Sequence, residues 1–183
     1  MGTATAKSMV MNAAVASGID AADWARGFDS AWLDFTKGLG APVGACLAGS
    51  AELIAEAWRW KQMLGGAMRQ SGIVAAAGWH ALEHHVDRLA DDHARARRLA
   101  EGLAALAGVD LDSATVETNI VIFGVPDAPA FCAALERADV GMLPVGPDRV
   151  RAVTHLDVDD AGIERALEAA EGALRGLHGA AAP

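Results

Sequence analysis

The stretch Asp34-Phe35-Thr36-Lys37-Gly38-Leu39-Gly40-Ala41-Pro42-Val43-Gly44 constrains this chain most, because no regular helix or strand passes through three glycines and a proline so closely spaced. Whatever precedes it must stop and whatever follows must start afresh. The apolar run Ser30 to Phe35 therefore reads as a buried strand leading to Lys37, and Val43 to Ala48 as another, closed by Gly49. Gly38 and Gly40 carry no Cβ, so the backbone beside the Lys37 amine is uncluttered, and Pro42 stiffens the exit. Such a presentation suits a lysine that reacts with an aldehyde. The competing reading is a surface turn with a solvated lysine.

Helix signals surround this turn. Asn12 to Ser17 forms a short helix stopped by Gly18; Asp20 caps a second through Ala25, with Gly27 beyond it. Ser50 is placed to cap a helix whose apolar positions Leu53, Ile54, Ala57, Trp58 and Leu64 recur at three- and four-residue spacing, and Gly65-Gly66 ends it. From Ser71 onward Leu82, Val86, Leu89, Ala96, Ala100, Leu103 and Ala107 mark one long helix or two joined by a kink. After Gly108 the texture changes. Val116 to Val125, Val140 to Val145 and Val150 to Thr154 read as strands, Ala128 to Ala138 and Asp159 to Leu177 as helices. This is the layout of an α/β or α+β domain, with a division of the chain expected between residues 80 and 90.

Lys and Arg number 15 against 24 Asp and Glu, a formal net charge of -9, so no nucleic-acid footprint is expected. Apolar runs are broken before the ~20 residues of a membrane span, and no signal-peptide pattern opens the chain. No membrane association is expected, and a cytoplasmic location. Cys46 and Cys132 read as buried free thiols.

Two further segments bear on chemistry. In Lys61-Gln62-Met63-Leu64-Gly65-Gly66-Ala67-Met68-Arg69-Gln70 the paired glycines permit close backbone approach, and the planar fork of Arg69 suits a carboxylate; a helix C-cap beside a solvated arginine explains the same pattern. In Arg149-Val150-Arg151-Ala152-Val153-Thr154-His155-Leu156-Asp157, alternation puts Arg149, Arg151 and Val153 on one face, either to meet an anion or as the solvated face of an edge strand.

Read together, these three segments resemble the low-specificity L-threonine aldolases of the pyridoxal-phosphate β-eliminating lyase class. Gly27-Phe28-Asp29-Ser30, Leu47-Ala48-Gly49-Ser50, Arg88-Leu89-Ala90-Asp91-Asp92-His93 and Thr118-Asn119-Ile120-Val121 support it in the same order. The resemblance implies a fold-type-I enzyme in which Lys37 holds pyridoxal 5'-phosphate, Thr36 touches the phosphate, and Arg69 and Arg151 grip the substrate carboxylate. It implies cleavage of β-hydroxy-α-amino acids to glycine and an aldehyde, by a homo-oligomer (dimer or tetramer). It also implies that residues 1–85 are a remnant of the large cofactor-binding domain with a connecting helix, and residues 86–183 the small C-terminal domain.

Where the family carries Asp-Gly-Ala-Arg, this chain reads Ala6-Lys7-Ser8-Met9, so the aspartate that pairs with the pyridine nitrogen is missing, as are the family's upstream phosphate loop and stacking histidine. A fragment or half-enzyme, weakly active alone and prone to self-association, is therefore expected, with a catalytically silent relative serving oligomer assembly as the alternative. A remote rival is His80-Ala81-Leu82-Glu83-His84, an H-x-x-E-H zinc-hydrolase pattern with Glu101, Asp110 or Glu117 as nominal third ligand. The resemblance runs through it, and no metal is expected. Trp24, Trp32, Trp58, Trp60 and Trp79 read as core or interface side chains, His93 as solvated or ion-paired, His155 as bonded to Asp157 or backbone, and Asn119 as closing a turn.

Overall fold

A computed structural model describes the backbone of residues 5–6 and 10–180 and the side chains of 10–177. The chain divides into two compact units, Met1–Leu89 and Ala90–Pro183. Among the described residues no helix is long and apolar enough to cross a membrane.

The first unit holds β1 (Thr5–Ala6), α1 (Val10–Ser17), α2 (Ala21–Ala25), β2 (Ser30–Asp34), β3 (Ala45–Gly49), α3 (Ala51–Met63) and α4 (Gly72–His84). Local signals set most of these limits. Gly18 takes φ +70°, a left-handed conformation that closes α1. The Asp20 carboxylate accepts from the Ala22 N–H at 2.7 Å to start α2, and the Ser50 hydroxyl accepts from the Leu53 N–H at 3.2 Å to start α3. β2 lies between a parallel β1 and an antiparallel β3, in register from Ser30 opposite Gly49 to Asp34 opposite Ala45. β3 starts later than the expected Val43, because Gly44 at φ +123° bends the chain before Ala45. Leu39, Ala41, Ala81 and Leu89 form a small buried core, with Met11, Val15, Leu33, Phe35, Ala77 and Val86 packed around it.

The pattern beginning at Ser71 resolves into two helices, α4 and α5 (Leu89–Ala104), broken across His85 to Arg88. The second unit continues with a 3-10 turn (Ser113–Thr115), β4 (Ile120–Gly124), α6 (Ala128–Glu136), β5 (Leu143–Pro144), β6 (Arg149–Val153) and α7 (Asp160–Ala180). The expected strands 116–125 and 140–145 shrink to these shorter pairings. Asp127 accepts from the Ala130 N–H at 2.9 Å, and a proline sits in the first turn of α6, where its missing N–H costs nothing.

The sheet order is β4-β6-β5, all antiparallel, so β6 is central and the edge-strand alternative for its arginines is excluded. Val121, Phe123, Val150 and Ala152 point from one face of this sheet into the core. Ala96, Leu99, Ala100 and Leu103 of α5 meet them there, with Ile163, Ala166, Ala170, Ala173 and Leu174 of α7, at the spacing of one helical face. Phe123 and Phe131 meet edge to face at 5.9 Å.

A polar group is buried beside that core. The Thr154 hydroxyl donates to the Asp92 carbonyl at 2.7 Å, and Asn119 Nδ2 donates to the Thr154 carbonyl at 2.9 Å. Asn119 thus ties two strand ends together. His93 is buried too, on the covered side of α5, which excludes the solvated one of its two readings. Cys132 is buried, but Cys46 is exposed, since nothing among the described residues covers β3. Trp24, Trp58, Trp60 and Trp79 are likewise exposed and outside either core.

Candidate active site

β2 delivers its last residue, Asp34, to the mouth of the Lys37 turn. The Asp34 carboxylate accepts from both the N–H of Thr36, at 2.8 Å, and its hydroxyl, at 2.6 Å, an Asx-turn that starts the reversal. Lys37 Nζ stands 3.8 Å from the other oxygen of Asp34, with the lysine side chain 74% exposed and the aspartate only 10%. Burial pushes the Asp34 carboxyl up, but the two hydrogen bonds from Thr36 and the Lys37 charge outweigh it and hold the group below its ordinary value. Asp34 went unassigned in the sequence, although the Asp-x-Thr spacing of an Asx-turn signals it.

The rest of the turn is fixed by backbone. The Phe35 N–H donates to the Gly44 carbonyl at 3.1 Å, Ala41 to Phe35 at 2.8 Å and Gly40 to Lys37 at 2.9 Å. Gly40 sits at φ +69°, where a side chain would be strained. Gly38 has a further reason: a Cβ there would come within 2.9 Å of Leu89 Cδ2, so its bareness admits core packing. Two long-range contacts also reach this turn, from His85 Nδ1 to the Leu39 carbonyl and from Arg88 Nη1 to the Gly38 carbonyl.

Arg69 belongs to the same unit, in the exposed turn between α3 and α4, and no hydrogen bond or ion pair joins it to the Lys37 turn. The paired glycines before it serve the end of α3. Gly65 has φ +80°, its N–H reaches the Gln62 carbonyl at 3.2 Å, and the Gly66 N–H reaches Lys61 at 2.8 Å, so the pair is a helix C-cap.

Arg151 lies in the second unit, on the open face of the sheet. Its neighbours in register are Ile122 on β4 and Leu143 on β5, 53% and 61% exposed. Arg149, on the same face, is engaged by Asp110 at 3.0 Å. The two arginines thus differ: Arg149 has an acidic partner, while Arg151 stands in register between two apolar residues. Elsewhere, the His80 and His84 rings stand 4.4 Å apart on α4, as their spacing requires. Among the described residues no group of three or more His, Cys, Asp or Glu is arranged to hold a metal ion.

An accessible primary amine on a backbone-fixed turn, with a hydroxyl beside it, fits a cofactor aldehyde and its phosphate at Lys37 and Thr36. Contact between Thr36 and a phosphate would require its hydroxyl to turn from Asp34. Of the window that replaces the family's acidic motif, Lys7, Ser8 and Met9 lie outside the described residues.

A family model described as beta-eliminating lyase matches residues 9–125. The low specificity L-threonine aldolase of Escherichia coli (strain K12) is 41% identical over 149 residues, covering 81% of this chain and 44% of that protein. Low-specificity L-threonine aldolase 1 of Arabidopsis thaliana is 32% identical over 170 residues, covering 90% and 48%. A crystal structure from Exiguobacterium sp. 255-15, assigned as an aromatic amino acid beta-eliminating lyase/threonine aldolase, superimposes with a TM-score of 0.70 at 25% identity, covering 87% of this chain and 50% of the other. The chain spans about half the length of the curated relatives it matches. Since the matched region runs from α1 through the Lys37 turn to the end of β4, this chain belongs to the beta-eliminating lyase family.

Proposed function

We propose that this chain supplies the lysine and the carboxylate-binding arginines of a pyridoxal-phosphate-dependent aldolase. The enzyme cleaves L-threonine-type β-hydroxy-α-amino acids to glycine and an aldehyde. It works as a cytoplasmic homo-oligomer completed by residues corresponding to the remaining half of its relatives. The observation that carries the reading is the Lys37 amine, exposed just beyond β2 on a turn whose backbone is held by hydrogen bonds at Phe35, Gly40 and Ala41.

Pyridoxal phosphate, when bound, supplies the electron sink into which the electrons of the breaking Cα–Cβ bond spread. The chain's own residues do the holding. Lys37 offers the attachment point, and the Asp34 carboxylate, 3.8 Å from Nζ, fixes the start of the turn through Thr36. Arg151, flanked in register by Ile122 and Leu143, takes the substrate carboxylate in its fork. Arg69 is the second carboxylate partner, and Thr36 the phosphate partner. Two fixed points on the carboxylate orient the bond to be broken. The large cofactor-binding domain and the small domain correspond to the first and second units.

A second reading, a catalytically silent relative serving oligomer assembly, draws on Ala6-Lys7-Ser8-Met9, which contains no carboxylate. Mixing purified protein with pyridoxal phosphate tests the first reading. A visible absorbance band should appear that Lys37→Ala loses; absence of the band, or its persistence in the variant, removes Lys37 from the site.

A further inference from the structure

We propose that His85, assisted by Arg88, is a positioning residue for Lys37: the break between α4 and α5 grips the two backbone carbonyls that follow the lysine and so sets where its amine is presented. The inference rests on the assignment of Lys37 made above. A lysine side chain 74% exposed has almost no packing of its own, so its direction comes from Asp34 and from the backbone that carries it. That backbone is held from outside the turn at Gly38 and Leu39.

His85 Nδ1 lies 2.6 Å from the Leu39 carbonyl, a contact spanning 46 positions of sequence. A carbonyl only accepts, so Nδ1 must carry the proton. The ring itself is anchored, because the His85 N–H still closes the last turn of α4 on the Ala81 carbonyl at 2.9 Å, and His80 packs edge-on at 5.3 Å. Arg88 Nη1 reaches the Gly38 carbonyl at 3.5 Å, a weaker second hold.

Between the two carbonyl contacts sits an apolar plug. Leu89 fills the space left by the absent Cβ of Gly38, and Leu39 is buried beside it. Since the Lys37 carbonyl is bonded to the Gly40 N–H, rotating the Leu39 peptide would swing the lysine backbone with it. The grip is therefore directed at Lys37.

Three proteins decide it: wild type, His85→Ala, and His85→Asn, whose side-chain amide places a donor near the Nδ1 position. Two readouts serve, namely hydrogen exchange of the Gly40 and Ala41 amides without cofactor, and the pyridoxal phosphate concentration giving half of the Lys37-dependent band. His85→Ala should speed exchange about tenfold and raise the half-saturating concentration about tenfold, the size expected for one lost part-buried hydrogen bond. His85→Asn should recover most of both. A His85→Ala protein unchanged in both readouts, or a His85→Asn protein as impaired as the alanine, overturns the proposal while leaving Lys37 in place. If His85→Ala fails to fold, His85→Asn must match wild type, or the proposal falls. A wild-type protein without any Lys37-dependent band would defeat the assignment of Lys37 and this inference with it.

Discussion

In the second unit Phe123, Phe131, Leu135 and Val150 are completely buried; in the first, Trp58, Ile73 and Trp79 stand 56%, 82% and 66% exposed. Both units are rich in apolar residues, so composition does not separate them. The difference is cover. α5, α6 and α7 place apolar stripes against one face of the β4-β6-β5 sheet, whereas every residue of β3 in the first unit is exposed. Apolar side chains become core only where a second layer meets them, and the first unit lacks one over β3 and α3 among the described residues. The part that holds Lys37 is thus the part with less to hold it, which gives the contacts of His85 and Leu89 their weight.

That comparison can be broken by measurement. The largest effect belongs to Phe131→Ala, which removes a fully buried ring and its edge-to-face partner contact and should destabilise the chain by about 3–5 kcal/mol in urea unfolding. A loss below ~1 kcal/mol would mean that the second unit is no better packed than the first. A smaller effect comes through His93. Burial, the largest influence, and Arg97 hold its imidazole below the ordinary value, against an opposing pull from Asp92. As pH falls through about 6.5 the unfolded ring gains a proton that the folded ring still refuses. The unfolded state then binds more protons, so stability drops as pH falls below that point and recovers above it. His93→Gln should flatten the slope in pH-dependent melts; an unaltered slope would contradict the burial. The smallest effect is expected from Trp79→Ser, within about 0.5 kcal/mol, as for other exposed positions. A loss approaching that of Phe131→Ala would show that Trp79 is covered in solution and that the contrast between the units is wrong.

Local chemistry made much of this fold legible. Asp20 and Ser50 cap the helices their positions suggest, Gly18 and Gly65 end helices, and β2 stops where the turn residues begin. Such signals depend on a few neighbouring residues. The strands of the second unit were overextended, because apolar alternation continues past the point where a partner strand is present to bond. β5 keeps only Leu143 and Pro144. At the site, Lys37 and its turn were visible as a pattern, while the further reason for Gly38 was not: the atom it makes room for belongs to Leu89. Of the two readings open for Gly65-Gly66, close approach and helix ending, the backbone shows the helix ending. The role of His85 had no sequence signal, since its partner is the Leu39 backbone, which every residue type possesses.

By itself the sequence determined where helices start and stop, that a lysine stands on a glycine-lined turn, and which family that turn belongs to, because caps, turns and motifs are written within a few residues of one another. Only the tertiary structure decided that Cys46 is exposed and His93 buried, that Arg149 is engaged by Asp110, and that two carbonyls beside Lys37 are held from the α4–α5 break. Burial and pairing depend on what the rest of the chain brings to a position. No local pattern records that.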